Sequence, residues 1–124
     1  MARILLAEDE EPLRSLLVRA FARDHEVTGV PDGGEALDAL VREEGRFDLI
    51  LTDIRMPVMD GIALALAAAR AYPEVAILLM TGFADQRERA HGLDALVHDV
   101  IAKPFTLADI RRAVDDALAA RRRH

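Results

Sequence analysis

The sequence predicts an α/β fold, a (βα)5 arrangement in which a doubly wound parallel five-stranded sheet carries helices on both faces. Short apolar runs alternate with helical patterns about five times along the chain, which is typical of parallel sheets. Several of the runs are continuously apolar rather than alternating, as expected for strands covered on both faces. Right-handed connections between successive strands would complete this fold.

Four of the predicted strands are short, mainly apolar runs that lead into polar or turn-forming residues, and the second is a short strand near residues 26–30. Each of these runs is predicted to be a buried strand. The predicted strands cover residues 3–7, 26–30, 48–52, 76–80 and 97–101.

The predicted helices carry apolar residues at spacings of three and four. Pro12 lies near the start of the first helix, where its missing N–H costs little. Asp32 precedes Glu35 by three residues, which is the spacing of a capping box. The third helix is rich in alanine and leucine and ends before Pro73. The predicted ranges are 11–23, from the Asp32 cap to about 44, 61–71, a weak and strongly charged helix at 85–91, and a last helix from 106 onward.

The last helix also opens with a capping box, in which Thr106 precedes Asp109 by three residues. A single apolar stripe is predicted to face the sheet from this helix. Its members are Leu107, Ile110, Val114 and Leu118.

Composition bounds the classes of function. A chain of 124 residues predicts one domain, residues 1–124. The net charge of −6 argues against nucleic acid as a direct partner, because phosphate binding needs a basic surface. Cysteine is absent, which excludes disulfides and cysteine-based metal sites. No apolar stretch reaches the ~18 residues of a membrane span. Residues 1–3 lead directly into the first strand, so we expect no signal peptide and a cytoplasmic location.

Five polar residues follow the ends of four predicted strands. Glu8 and Asp9 follow the first strand, Asp53 the third, Thr81 the fourth and Lys103 the fifth. The carboxyl ends of parallel strands share one edge of a sheet, where ligands bind. Three carboxylates, a hydroxyl and an ammonium at that edge predict a site for a divalent cation and a phosphoryl group.

The chemistry of this edge follows from its charges. Three neighbouring carboxylates repel one another and raise at least one pKa. Mg²⁺ (or Mn²⁺) relieves this repulsion, because it prefers oxygen ligands and binds through one or two carboxylates. Asp53 is the predicted nucleophile, which accepts the phosphoryl group as an acyl phosphate. Lys103 would neutralise one phosphoryl oxygen and Thr81 would donate a hydrogen bond to another.

Over essentially its whole length the sequence resembles the response regulator receiver domains, the CheY-like family. The resemblance implies a flavodoxin-like, CheY-like sheet with strand order 2-1-3-4-5. It rests on the combination, order and spacing of several short segments, each of which is weak alone. The segments are residues 4–10, 48–57, 59–61, 79–82 and 101–105.

The resemblance implies specific roles for the acidic residues. Asp53 would be phosphorylated by a histidine kinase or a histidine phosphotransfer protein. Asp9, Asp53 and the backbone carbonyl of Arg55 would bind Mg²⁺ directly, while Glu8 would act mainly through water. The protein would then be a phosphoacceptor with intrinsic autophosphorylation and autodephosphorylation chemistry rather than an enzyme.

The resemblance also assigns the residues that read the phosphoryl group. Thr81 and Lys103 would contact it, and the bond between Lys103 and Pro104 would be a cis peptide, as X-Pro turns allow. Receivers commonly carry an aromatic residue three positions before the lysine, where this sequence has Val100. Phe83 could take over part of the packing change that such an aromatic ring undergoes.

Two other classes of protein use similar residues. A small Mg²⁺-dependent phosphatase with an aspartyl nucleophile needs a second carboxylate two residues after the nucleophile, where this chain has Arg55. A flavodoxin-like carrier of FMN needs a phosphate-binding loop after the first strand. The acidic residues 8–11 would repel that phosphate. The receiver interpretation is therefore favoured over both.

The output is predicted to be a phosphorylation-dependent contact with another protein. Among stand-alone receivers, residues 1–9 and 80–84 resemble the CpdR-like group. That group couples phosphorylation to an ATP-dependent protease, so a protease or an adaptor is one predicted partner. A phosphate-relay intermediate, or a regulator of a kinase or motor, is the alternative. We expect no membrane association, and a monomer or a weak dimer.

Overall fold

Five parallel strands make up the sheet of the computed structural model, which describes residues 1–82 and 92–122. The order across the sheet is β2-β1-β3-β4-β5, so the predicted order is confirmed. The strands are β1 (Arg3–Ala7), β2 (Glu26–Val30), β3 (Leu49–Asp53), β4 (Ala76–Thr81) and β5 (Asp99–Ala102).

Four helices pack on this sheet within the described ranges. They are α1 (Glu11–Ala22), α2 (Gly33–Arg42), α3 (Gly61–Ala71) and α4 (Leu107–Arg122). The helix predicted at 85–91 lies outside the described residues. None of the helices described is both long and apolar enough to cross a membrane.

Successive residues of the central strands point to opposite faces of the sheet, which explains why these strands are continuously apolar. Leu5 and Ile50 pack against α2 and α3 on one face. Leu6 and Leu51 pack against α1 and α4 on the other face. All four side chains are completely buried.

Some predicted boundaries were wrong by one or two residues. β3 continues to Asp53, because this residue still pairs with Met80 of β4. β5 begins at Asp99 rather than Val97, because the Val97 N–H donates to the Leu93 carbonyl in a turn, 3.0 Å away. α2 ends at Arg42, earlier than predicted.

The predicted apolar stripe of α4 is wrong at one end. Ile110, Val114 and Leu118 are buried, but Leu107 is 40% exposed. The reason is that the first turn of the helix, residues 106–109, lies entirely on the surface. The capping box of this turn is confirmed, because the Asp109 N–H donates to the Thr106 hydroxyl over 3.0 Å and the Thr106 N–H donates to the Asp109 carboxylate over 3.2 Å.

The capping contact at the start of α2 gives a testable stability effect. The Glu35 N–H donates to the Asp32 carboxylate over 2.8 Å. We expect Asp32→Ala to lower the free energy of unfolding by about 1 kcal/mol, the usual effect of losing an N-cap. Urea denaturation measures this loss. Asp38→Ala, an exposed change within the same helix, is the matched control; an equal loss in both variants would contradict the capping role.

Candidate functional site

The carboxyl edge of the sheet brings together the five polar residues that the sequence predicts there, including Asp9 beside Glu8. Glu8 follows β1, Asp53 ends β3, and Lys103 follows β5. Thr81 ends β4 and is buried, and its carbonyl accepts the Lys103 N–H over 2.7 Å. The predicted convergence at this edge is therefore present in the fold.

The Lys103 ammonium links the two buried carboxylates. Its Nζ lies 2.9 Å from Glu8 Oε1 and 3.3 Å from Asp53 Oδ2. Burial disfavours the charged form of the lysine, but the hydrogen bond to Glu8 and the charge of Asp53 outweigh it and raise the pKa of Lys103. The lysine is therefore a firmly charged cation that joins the ends of three strands.

Glu8 is fully buried, and its carboxylate is held at both oxygens. Oε1 accepts from Lys103, and Oε2 accepts the Glu10 N–H over 3.0 Å. Burial is the largest influence on the pKa of Glu8 and raises it, and the nearby charge of Asp53 raises it further. The hydrogen bonds from Glu10 and Lys103 lower this pKa but do not cancel the rise. A further positive charge nearby would favour the ionised form.

Asp53 divides its two carboxylate oxygens between different partners. Oδ1 accepts the Ile54 N–H over 2.9 Å, and Oδ2 faces Lys103. Burial raises the pKa of Asp53, and Asp9 adds to this rise, while Lys103 and Ile54 oppose it. Oδ2 is thus the oxygen that lies next to the positive charge.

Three carboxylates at this edge could hold a metal ion. One oxygen from each of Glu8, Asp9 and Asp53 lies within 4.8 Å of the others, and Asp9 is exposed while the other two are buried. Lys103 supplies one positive charge against the three negative charges of the ionised carboxylates, so the cluster keeps an excess of negative charge. Hard oxygen donors with excess negative charge fit Mg²⁺. The role of the Arg55 carbonyl stays a prediction.

The loop after β3 is fixed tightly against the site. The Gly61 N–H donates to the Ile54 carbonyl over 2.7 Å, and Asp60 caps α3 by accepting the Ala63 N–H over 2.8 Å. A Cβ on Gly61 would lie only 2.1 Å from the Asp53 carbonyl oxygen. The sequence showed Asp60-Gly61 near the start of a helix, but the close approach to Asp53 could be seen only in three dimensions.

The predicted readout residues have different outcomes. The peptide bond between Lys103 and Pro104 is cis, as predicted. Val100 is half-buried beside the core and pairs with Leu79, two residues before Thr81. Phe83 lies outside the described residues, so its predicted part in a packing change stays a prediction.

The fold and this cluster define a doubly wound α/β protein that carries three carboxylates and a lysine at the carboxyl edge of its sheet. The family model for the response regulator receiver domain matches residues 4–115. The chain therefore belongs to the response regulator receiver domain family. Proteins of this family act in two-component signalling, where histidine kinases phosphorylate them and where the acidic pocket binds Mg²⁺.

Relatives and solved structures agree with this assignment. The chain is 39% identical over 121 residues to the response regulator receiver protein CpdR of Brucella abortus, covering 97% of this chain and 99% of that protein. A CheY-like receiver from Methanospirillum hungatei JF-1 superposes with a TM-score of 0.89 at 25% identity, covering 99% and 98% of the two chains. TrrA from Thermotoga maritima, in complex with Mg²⁺ and BeF, superposes with a TM-score of 0.82 at 25% identity, covering 94% and 99%. Seven further relatives are longer, and the chain spans only 12% to 51% of their length.

Mg²⁺ is expected to stabilise the folded protein at pH 7. A cation that binds only the folded state adds about 2.7 kcal/mol at a concentration of roughly one hundred times its Kd. Burial raises the pKa of Glu8 above its ordinary value of 4.5 and that of Asp53 above 3.8. The free-energy cost of burying their charges is therefore absent below the ordinary pKa values and complete above the raised pKa values. The stabilisation by Mg²⁺ should therefore be large at neutral pH and disappear as the carboxylates are protonated.

Thermal unfolding with and without Mg²⁺ at several pH values measures this effect. Asp9→Asn should reduce the Mg²⁺-induced shift, because it removes one of the three carboxylates. Asp38→Asn, on the exposed side of α2, should leave the shift unchanged. An undiminished shift in Asp9→Asn would contradict the assignment of this residue to the cation site.

Proposed function

We propose that this receiver accepts a phosphoryl group on Asp53, in a Mg²⁺-dependent reaction, from a histidine kinase or a histidine phosphotransfer protein. The observation that carries the proposal is the placement of Asp53 Oδ2, 3.3 Å from the Lys103 ammonium and beside the carboxylates of Glu8 and Asp9. An acidic nucleophile next to a fixed cation and a cation site suits phosphoryl transfer, in which catalysis consists mainly of positioning and charge stabilisation.

The reaction uses the two oxygens of Asp53 differently. Oδ2 attacks the phosphorus of the phosphohistidine, an O–P bond forms, the P–N bond breaks, and its electron pair returns to the imidazole nitrogen. Oδ1 stays on the Ile54 N–H, which keeps the carboxylate oriented during attack. Asp9, Asp53 and the Arg55 carbonyl would hold Mg²⁺ directly, with Glu8 acting mainly through water, and the ion would supply positive charge to the phosphoryl oxygens.

Lys103 serves the acceptor before and after transfer. Its ammonium already lies beside Oδ2, so a phosphoryl oxygen attached there comes within its reach. The Lys103 Nζ lies 2.9 Å from Glu8 Oε1, and this contact holds the lysine side chain in place while the Asp53 carboxylate becomes an acyl phosphate. The Thr81 hydroxyl completes the proposed contacts to the phosphoryl group.

Phosphorylation by a small donor tests the proposal directly. Incubation with acetyl phosphate and Mg²⁺ should add the mass of one phosphoryl group to the intact protein, and EDTA should prevent it. Steady hydrolysis of p-nitrophenyl phosphate without an accumulating phosphoprotein would instead support the phosphatase interpretation. The proposal would be contradicted if no phosphoryl donor increased the mass of the protein.

The proposed output is a protein–protein contact that depends on the phosphorylation state. The match to the receiver protein CpdR, which covers 99% of that relative, supports an output through contact with another protein. A ligand-dependent shift between two conformations supplies the mechanism. Regulation of an ATP-dependent protease and transfer to a second histidine phosphotransfer protein remain the two proposed pathways.

Comparative capture of partners distinguishes these pathways. Untreated protein and protein treated with beryllofluoride and Mg²⁺ are each immobilised and exposed to lysate from the source cells. A protease subunit or adaptor that binds only one form supports the first pathway. A histidine phosphotransfer protein that removes the phosphoryl group from the purified phosphoprotein supports the second. Identical sets of bound proteins on both forms would contradict a phosphorylation-dependent output.

A further inference from the structure

Thr52 directly precedes the acceptor aspartate and places a hydroxyl in the centre of the fold. Its side chain is completely buried, in a strand whose preceding residues, 49–51, are all apolar. Its Oγ1 donates to the backbone carbonyl of Asp53 over 2.8 Å, while the Met56 sulfur, a weak acceptor, lies 3.9 Å away. The hydroxyl therefore binds the peptide group that follows the acceptor.

The same peptide group also binds the acceptor side chain. Its N–H belongs to Ile54 and donates to Asp53 Oδ1 over 2.9 Å, and to the Met80 carbonyl over 3.0 Å. Because the peptide unit is planar, a hydrogen bond that fixes its carbonyl also fixes the direction of its N–H. Thr52 is thereby connected, through one rigid peptide, to the orientation of the Asp53 carboxylate.

We propose that Thr52 is a positioning residue for phosphoryl transfer, which holds the peptide after Asp53 so that Oδ1 stays on Ile54 and Oδ2 faces Lys103. This inference rests on the proposed function of Asp53. A buried hydroxyl is unfavourable unless it is hydrogen-bonded, and a valine would pack in the strand without that requirement. The hydroxyl is thus explained by the contact it makes. Orientation of the nucleophile affects the rate of transfer because only near-attack geometries react.

Two substitutions separate the hydroxyl from the packing of the side chain. Thr52→Val keeps the branched shape and loses the hydroxyl, whereas Thr52→Ser keeps the hydroxyl and loses the methyl group. At saturating Mg²⁺ and acetyl phosphate, we expect Thr52→Val to lower the phosphorylation rate constant roughly tenfold, within the roughly hundredfold that a displacement of about 1 Å can cost. The phosphorylation rate constant of Thr52→Ser should stay close to that of the unmodified protein. A purely packing role predicts the opposite order.

Thr28→Val on the edge strand β2 is the matched control, since it makes the same chemical change away from the site. Rates are measured below the unfolding temperature of every variant. If Thr52→Val does not fold, Thr52→Ala replaces it, because alanine and serine differ only by the hydroxyl. Absence of phosphorylation in the unmodified protein would overturn the proposed function itself. If the unmodified protein is phosphorylated normally and Thr52→Val is phosphorylated at the same rate, only the role of Thr52 is overturned. The same holds if Thr52→Ser is as slow as Thr52→Val.

Discussion

Asp53→Asn is expected to abolish Mg²⁺-dependent phosphorylation and to stabilise the metal-free protein at pH 7. The amide cannot act as the nucleophile, so the phosphoprotein should fall to the background level. The stability gain follows from burial, which raises the pKa of Asp53 and shows that its environment disfavours the charge. Each unit by which a pKa is raised corresponds to about 1.4 kcal/mol.

The sign of the stability effect depends on pH. The penalty of the buried Asp53 charge is absent below the ordinary pKa of 3.8 and complete above the raised pKa. The gain in Asp53→Asn should therefore be present at pH 7 and vanish in acid. Urea denaturation at pH 7 and near pH 3 measures it, with Asp38→Asn as the control. Destabilisation at pH 7 would show that the pair with Lys103 outweighs the burial of Asp53.

Gly61→Ala is expected to be strongly destabilising, by about 2–4 kcal/mol, because it forces a methyl group into backbone. The new Cβ would lie 2.1 Å from the Asp53 carbonyl oxygen and 2.9 Å from the Ile54 Cα, and these atoms cannot turn away as a flexible side chain could. Any relief must move the end of β3 or the start of α3. The phosphorylation rate of Gly61→Ala should also fall, because Asp53 belongs to the backbone that this substitution displaces.

Gly92→Ala is the matched control, because a Cβ there meets no atom of the described residues within 4 Å. Denaturation of both variants, followed by phosphorylation assays on the folded fraction, separates stability from activity. Similar unfolding free energies for the two variants would contradict the close approach of Gly61 to Asp53. A destabilised Gly61→Ala that phosphorylates at the normal rate would show that the loop does not position the acceptor.

The architecture could be predicted from the sequence because its signals are local and repeated. Continuous apolar runs such as Leu49 to Leu51 occur where a strand is covered on both faces. The clustering of Glu8, Asp53 and Lys103 then follows from topology alone, since parallel strands end at one edge. The predicted start of β5 was wrong because the Val97 N–H, which a strand would use for pairing, donates to a carbonyl within a turn.

The finer features of the site could not be predicted, because they depend on side-chain orientation and close backbone contacts. Nothing in the spacing shows that the lysine lies closer to Glu8 than to Asp53, or that the two oxygens of Asp53 have separate partners. The contact of Thr52 with the following carbonyl is equally invisible in a run of strand residues. Leu107 followed the helical period of α4, yet the first turn lies beyond the packed surface.

Chemical mapping of the phosphorylated residue shows directly whether Asp53 is the phosphoacceptor. Protein phosphorylated with acetyl phosphate and Mg²⁺ is reduced with borohydride, which converts an aspartyl phosphate to homoserine, and is then sequenced by tandem mass spectrometry. We expect homoserine at position 53 and intact acidic residues at Glu8 and Asp9. Reduction at either of those residues, or a phosphoprotein in which Asp53 is intact, would contradict it.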